Sequence, residues 1–466
     1  MGRLCTAGLR VSLIATLWLP FCAAAQQVPP AAEPPQTTIQ LERPSGAAQG
    51  PTTITLQDAI ARARKLDAQY LAAVGDAKNA HEDATQARNA MLPQVTATSQ
   101  FLNTQGNGKT FNGRYVTNDG VHVYRAWGVF HQDLSPGVYL ATGLHRAQAA
   151  EALAKAKAEI SQRGLTVTVT KNFYALAAAQ RKYASAQDSL TQARHFLQIT
   201  QGQEAGGLAA HSDVLKAQIQ AEQQQQAFEE AGLAMEDARL SLAVLLSPVL
   251  DENFTLADDL DTAPSLPTFS EMQRLAAQEN PDIRVAMATL READVDVAAA
   301  KGAFLPSFNI ETDYGIEANH FALRSVIAAE PAVGPVPNLG YFLTASVTIP
   351  VWDWGTLRSK LKQSQTNREQ ARAALTQAQR LNLANLYSAY NEATVARAAV
   401  ASSRQTADQA SESSRLTELR YQAGESTALE VVDAQNVLTQ ARAAYNDAQL
   451  RYRVALANLQ TFTGTF

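Results

Sequence analysis

Near the end of the chain, Val431, Leu438, Tyr445, Tyr452 and Leu459 recur every seven residues, and Ala434, Ala441, Ala448, Ala455 and Phe462 recur beside them. An apolar seam of this kind predicts a helix packed in coiled-coil fashion. The seam is written twice. Val214, Ala221, Phe228, Met235 and Leu242, with Ala217, Gln224, Ala231, Ala238 and Leu245, stand 217 residues earlier (Val214 against Val431), and only Gln224 is polar. The turn before each seam repeats in the same register: Gly207 matches Gly424, Asp213 matches Glu430, and Ala217-Gln218 matches Ala434-Gln435. Further upstream, Met91-Leu92-Pro93 before Gln94-Val95-Thr96 echoes Phe304-Leu305-Pro306 before Ser307-Phe308-Asn309.

A duplicated unit follows from these echoes. Each half reads helix, Leu-Pro, strand, loop, strand, long helix, Gly-containing turn, heptad helix. The halves are assigned to residues 53–246 and 270–466, joined by a linker at 247–269 that holds Pro248, Pro264 and Pro267. Residues 355–421 contain no proline and carry Leu383, Leu386, Tyr387 and Tyr390 at helical spacing. At about 1.5 Å per residue such a helix extends on the order of 100 Å. Its counterpart, about 138–200, has Gly164 within it to weaken it.

A second period interrupts the helices. Phe308, Ile310, Thr312, Tyr314 and Ile316 alternate with polar or small residues, and Tyr341, Leu343, Ala345, Val347 and Ile349 alternate with Phe342, Thr344, Ser346 and Thr348. The first-half counterparts, about 94–103 and 121–131, are less regular, with Val121, Val123, Trp127 and Val129 on one face. Segments of about ten alternating residues fit tilted transmembrane strands, although a soluble hairpin alternates in the same way. Four strands do not close a barrel, and open sheet edges do not face lipid. Membrane insertion therefore requires several copies to pool their strands. Pro93, Pro136, Pro306 and Pro350 sit where one period gives way to the other.

The N-terminus adds a compartment. Arg3 and Arg10 precede the apolar stretch Val11–Leu19, and Ala23-Ala24-Ala25 follows, the pattern of a secretory signal at 1–25 cleaved after Ala25. Acylation at Cys22 is the alternative, with Leu19-Pro20-Phe21 a poor fit before the cysteine. Residues 26–52, rich in proline, read as an extended leader.

Composition then removes function classes. The 466 residues carry a net charge of −5, which offers no basic field for nucleic acid. Charged residues are 18%, and the two cysteines both precede the cleavage point, so no disulfide or cysteine metal site is expected. The seven histidines lack metal-ligand spacing; His81, His195 and His211 read as helix-surface or turn residues. Asn107-Gly108-Lys109-Thr110 has Asn103 where a phosphate loop needs glycine, and reads as an extracellular loop tip. Phe466 follows a heptad helix rather than a strand and is given no barrel role. No nucleophile motif is present, so neither catalysis nor a cofactor is expected.

The combination resembles the TolC-like outer-membrane efflux family of Gram-negative bacteria, over about residues 53–464. The residues that carry the resemblance are Leu305-Pro306, Ile349-Pro350-Val351-Trp352-Asp353-Trp354-Gly355, the turn Arg420 to Thr427, and Leu429-Glu430-Val431-Val432-Asp433-Ala434-Gln435. Asn280-Pro281-Asp282 also resembles a family element, and the first half departs from it with Lys65-Leu66-Asp67. The resemblance implies a mainly α fold with a small transmembrane β part. Long coiled-coil helices form an α-barrel, and four strands per subunit enter a shared twelve-stranded barrel of a homotrimer. It implies a place in the outer membrane, in contact with its lipid, and a large periplasmic part. The partners implied are a periplasmic adaptor and an inner-membrane transporter, for which the channel serves as exit duct.

In that family, polar contacts between neighbouring helices hold the periplasmic end shut. Asp213 and Tyr421 match two of those positions, and Ser426 stands where the family carries an arginine. Glu430 and Asp433 match positions that ring the narrowest aperture, where threefold repetition concentrates negative potential. The plainer reading makes Asp213 and Glu430 first-turn acids that complement a helix N-terminus. Adaptor contact is expected at the turns, near Gly206, Gly207, Gly424 and Ser426. The competing function is a periplasmic coiled-coil adaptor or scaffold without a membrane barrel, which would not need lipid-facing strands in both halves.

Overall fold

The structure is a computed structural model that describes residues 52–103, 122–248, 254–262, 264–318, 321–328 and 335–464. The signal segment 1–25, the leader as far as residue 51, Val121, the loop tip Asn107–Thr110 and Phe466 lie outside the described residues.

In chain order the first half contains β1 (Thr52–Ile54), α1 (Leu56–Leu66), α2 (Ala68–Asn89), β2 (Gln94–Asn103), β3 (His122–Leu134), α3 (Pro136–Tyr139), α4 (Thr142–Ala205) and α5 (His211–Leu246). The linker holds β4 (Phe254–Leu256). The second half contains α6 (Phe269–Glu279), α7 (Pro281–Gly302), β5 (Ser307–Ala318), β6 (Arg324–Ala328), β7 (Pro335–Pro337), β8 (Leu339–Thr348), α8 (Thr356–Gln422) and α9 (Ala428–Thr463). Corresponding helices match in length: 11 and 11 residues for α1 and α6, 22 and 22 for α2 and α7, 64 and 67 for α4 and α8, 36 and 36 for α5 and α9.

Local chemistry starts these helices. Thr55 and Asp58 form a capping box at α1. Asn280 caps α7 by accepting from the N–H groups of Asp282 and Ile283, with Pro281 in the first helical position. Asp67 does the same for α2, accepting from Tyr70 N–H at 2.6 Å. Lys65-Leu66-Asp67 thus departs from the proline pattern and keeps its function, because the cap and not the proline satisfies the orphan N–H groups.

The four long strands form one antiparallel sheet in the order β2-β3-β5-β8. Cross-strand register sorts side chains onto two faces. One face carries Val95, Ala97 and Phe101 from β2, Tyr124, Ala126 and Phe130 from β3, Phe308, Ile310, Tyr314 and Ile316 from β5, and Tyr341, Leu343, Ala345 and Val347 from β8. The opposite face carries Gln94, Thr96, Gln100, Arg125, His131, Glu311, Asp313, Glu317, Thr344 and Ser346. Val123, Trp127 and Val129 do share a face, but it is this polar one, because Trp127 pairs with Thr98 and Gly315, and Val129 with Thr96 and Asp313. The valines of β3 are thus not part of the apolar surface. Trp127 requires Gly315, since a Cβ there would lie 2.8 Å from the indole Cδ1 and 2.0 Å from the Ala126 carbonyl oxygen.

The helices pack side by side in two tiers. Beside the strands, α4 lies between α2 and α7, and α7 lies against α8; further along, α4 lies between α5 and α9, and α9 lies against α8. Lys182 of α4 pairs with Asp447 of α9 at 2.6 Å, and Arg451 of α9 with Glu392 of α8 at 2.6 Å. The α9 seam is buried at Val431, Leu438, Ala441, Ala448, Tyr452, Ala455 and Leu459, as the heptads require. Two cores repeat the duplication. Ile60 and Ala63 of α1 pack with Phe173, Leu176 and Leu242, while Met272 and Ala276 of α6 pack with Leu386, Tyr452 and Leu459.

The linker is fastened between the halves. β4 pairs in parallel with β1, a three-residue contact that no periodicity announces. Arg181 of α4 binds Asp258 and Asp261, both at 2.8 Å, and holds the Asp261 carboxyl below the ordinary aspartate range. No helix among the described residues is long and apolar enough to cross a membrane.

Candidate functional site

The expected gate and adaptor residues lie on the two turns α4–α5 and α8–α9. Both turns have the same backbone. Gly207 adopts φ +71° and Gly424 φ +80°, the left-handed region that side chains with a Cβ resist. In the first turn, Leu208 N–H reaches the Gln203 carbonyl at 2.8 Å and Gly207 N–H the Glu204 carbonyl at 2.8 Å. In the second, Glu425 N–H reaches Arg420 at 2.8 Å and Gly424 N–H reaches Tyr421 at 3.0 Å. Both are Schellman closures, which satisfy the last carbonyls of the helix. Gly206, Gly207 and Gly424 are exposed.

Side chains distinguish them. In the second turn Thr427 caps α9, accepting from Glu430 N–H at 3.3 Å. Ser426 Oγ donates to Glu430 Oε2 at 2.8 Å and Thr427 Oγ1 to Oε1 at 3.2 Å. The Ser426 hydroxyl, with help from Thr427, holds the Glu430 carboxyl below the ordinary glutamate range. Tyr421 is buried, 6% exposed. Its ring meets Phe196 of α4 edge-on at 5.1 Å, its hydroxyl lies 3.5 Å from Thr200 Oγ1, and the cluster is completed by Ala217, Ala428 and Val431. Tyr421 therefore fastens the end of α8 to α4.

The first turn has no side-chain cap at Ala210. Glu204 and His211 pair across it at 2.8 Å, and Asp213 pairs with Lys216 at 3.1 Å. Asp213 and Glu430 both occupy the third position of their helices, where an acid complements the N-terminal dipole. Asp433 is exposed and makes no ion pair among the described residues. The structure thus brings Ser426, Thr427 and Glu430 together, and ties Asp213 and Tyr421 to separate partners within the subunit. Sequence reasoning missed Phe196, Thr200, Lys216 and Leu208. Leu208, directly after Gly207, is 83% exposed, and an apolar residue behind a turn glycine was the only signal it gave. No cluster of three metal-ligating side chains occurs among the described residues.

The duplicated helices, the two-faced sheet and the paired turns coincide with a known sequence pattern. The profile of the outer membrane efflux protein family matches residues 55–247 and 273–465. The chain belongs to the outer membrane efflux protein family. Among relatives, the pyoverdine export outer membrane protein OpmQ of Pseudomonas aeruginosa is 24% identical over 417 residues, covering 88% of this chain and 84% of that protein. OpmQ of Pseudomonas putida is 29% identical over 280 residues; the alignment covers 58% of this chain and little more than half, 56%, of that protein. The solved outer-membrane channel OprN superposes with a TM-score of 0.73 at 19% identity, over 88% of this chain and 90% of that one. The family places the chain in the outer membrane, and a sheet with one apolar face suits strands set in lipid.

Proposed function

We propose that three copies of this chain pool their strands and helices into one exit duct, which a periplasmic adaptor and an inner-membrane transporter feed from below. The observation that carries this reading is that sheet and helices are left open at the same two flanks. The sheet ends at β2 on one side and β8 on the other. The helix tiers end at α2 and α5 on the β2 side and at α8 on the β8 side. Apolar side chains stand bare on both flanks among polar ones: Ile219, Leu233 and Val244 of α5 are 58%, 66% and 62% exposed, and Tyr387 and Val395 of α8 are 58% and 55%. Joining the α8 flank of one copy to the α5 flank of the next is a head-to-tail contact, the kind that generates a ring when the rotation between copies closes. It leaves no strand edge in lipid.

The reading divides the chain into repeats 53–246 and 270–466 behind a signal at 1–25, and the two separate stretches matched by the family support that division. The chain acts as a passage rather than a catalyst, and its partners select the cargo. Its closed end is assigned to Asp213, Tyr421, Ser426, Glu430 and Asp433, and adaptor contact to the turns at Gly206, Gly207 and Gly424, with Leu208 added. A heat-modifiable trimer in the outer-membrane fraction is the expected state, and a soluble periplasmic monomer would refute the duct. For the gate, Tyr421→Ala with Asp213→Ala raises single-channel conductance in planar bilayers; unchanged conductance counts against the assignment.

A further inference from the structure

Each half passes from a sheet strand into a long helix, and the two passages differ in what covers them. In the first half, residues 135–141 lie against the second half. The Tyr139 hydroxyl donates to the Pro306 carbonyl at 3.2 Å, and a Cβ on Gly302 would lie 2.8 Å from Leu140 Cδ1. Gly302 ends α7, and Pro306 belongs to the Leu-Pro corner that leads into β5. In the second half, residues 349–355 have no such cover among the described residues: Val351, Trp352 and Trp354 are 87%, 75% and 88% exposed. This passage is nonetheless fixed. Trp352 and Trp354 meet edge-on at 5.6 Å. The Asp353 carboxylate accepts from Gly355 N–H at 3.0 Å and from Leu357 N–H. Trp354 is held at φ +56°, a strained conformation for a bulky side chain. Two indoles set on such a support form an apolar patch that calls for a partner surface.

The first half has the matching surface and no occupant for it. Its own Leu-Pro corner, Met91-Leu92-Pro93, echoes Phe304-Leu305-Pro306, yet Leu92 is 60% exposed and Val95 76%. Bare passage and bare corner lie at opposite edges but at the same end of the sheet, since Gln94 pairs with His131, Leu134 with Phe308, and Ser307 with Thr348. Within the chain, β3 delivers the covered passage to the corner of β5. By the duplication, β8 delivers the bare passage to the corner of β2 in the next copy. The strand pairing follows as well. Phe308 stands two residues beyond Pro306 and pairs with Leu134, the last residue of β3. Their counterparts are Val95, two residues beyond Pro93, and Val347, the last apolar-face residue of β8. Setting Val347 against Val95 puts Ala345 against Ala97 and Tyr341 against Phe101, all on the apolar face. A slip of one residue would set that face against the polar one.

We propose that Trp352 and Trp354 of one copy dock on the Met91-Leu92-Pro93 corner of the next, with β8 and β2 paired in the register Val347 to Val95 and Tyr341 to Phe101. The inference rests on the shared-barrel reading and supplies its seam. The indoles take the place between copies that Tyr139 and Leu140 hold within the chain, and an indole N–H can donate to a carbonyl there as the Tyr139 hydroxyl does.

The test uses the full chain in outer-membrane vesicles oxidised with copper phenanthroline. Tyr341→Cys with Phe101→Cys links the copies into a covalent trimer that dithiothreitol releases, and Leu92→Cys with Trp354→Cys links them too. Tyr341→Cys with Ser99→Cys, displaced by about 7 Å along the strand, links on the order of tenfold less, because a disulfide does not reach that far. Trp127→Phe leaves Trp352 and Trp354 as the only tryptophans beyond the signal at 1–25, which keeps the seam testable if the cysteine variants do not assemble. In its reconstituted trimer, brominated lipids leave the indole emission nearly unchanged. Severalfold quenching places the indoles among lipid headgroups and overturns the proposal. Stronger linkage through Ser99 than through Phe101 overturns it as well. A heat-modifiable trimer in which no pair links overturns the seam and leaves the duct standing. A chain that stays monomeric refutes the duct and the seam together.

Discussion

The two turns share a backbone and differ in almost everything attached to it. Each closes its long helix with a left-handed glycine and the same pair of hydrogen bonds. The α8–α9 turn then adds a threonine cap, a serine-bound glutamate and a tyrosine buried against the neighbouring helix. The α4–α5 turn begins its helix at an alanine and relies on exposed ion pairs, each worth about 0–1 kcal/mol. Duplication conserved the bend and let the fastenings diverge. The second turn carries the more fastenings, and the first the fewer.

The sharpest way to break this contrast is Tyr421→Ala. Removing a buried aromatic costs about 3–5 kcal/mol, and amide exchange should accelerate at the end of α8 while the end of α4 is less affected. If both turns loosen equally, Tyr421 is not the fastening. Next come Gly207→Ala and Gly424→Ala, each expected to cost about 1–2 kcal/mol in local stability because both positions are left-handed. Equal effects measured by exchange would sharpen the claim of a common backbone, and unequal ones would break it. Thr427→Ala should cost about 1 kcal/mol at the first turn of α9, and Ala210→Ser should gain a comparable amount at α5. Together they would erase the difference in capping, read from the protection of the first helical amides. The smallest effect is acid-dependent. A carboxyl held below its ordinary value stabilises the fold while it is ionised, so the contribution of Glu430 is complete above the usual glutamate range and fades as pH falls through its lower folded value. Protection of the α9 N-terminus should decline over that acidic window, and Glu430→Gln should flatten the decline.

The helices and strands were legible because each obeys a period the sequence displays directly. Val431 to Leu459 and their echo from Val214 announced the seams, and Phe308 to Ile316 announced a strand. The faces of β3 were less so. Its valines and Trp127 look like a lipid surface in isolation, and only pairing with β5 turns them toward Asp313 and Gly315. The same limit applied to the site. Tyr421, Glu430 and Asp213 could be named from turn register, whereas Phe196 and Thr200 meet Tyr421 across more than two hundred residues of chain, a separation that no local pattern spans. The parallel contact of β1 with β4 is three residues long, too short to have a period at all.

The open flanks carry a consequence for genetics. Under the ring proposed above, each copy offers two different surfaces, one ending in β8 and α8 and the other in β2 and α5. A copy spoiled on one flank alone can still be recruited through the other, and it then caps a growing ring that it cannot complete. With half the copies so altered, only about one closed trimer in eight would form from random recruitment. Such alleles should act dominantly, whereas a chain that fails to fold would merely lower the dose.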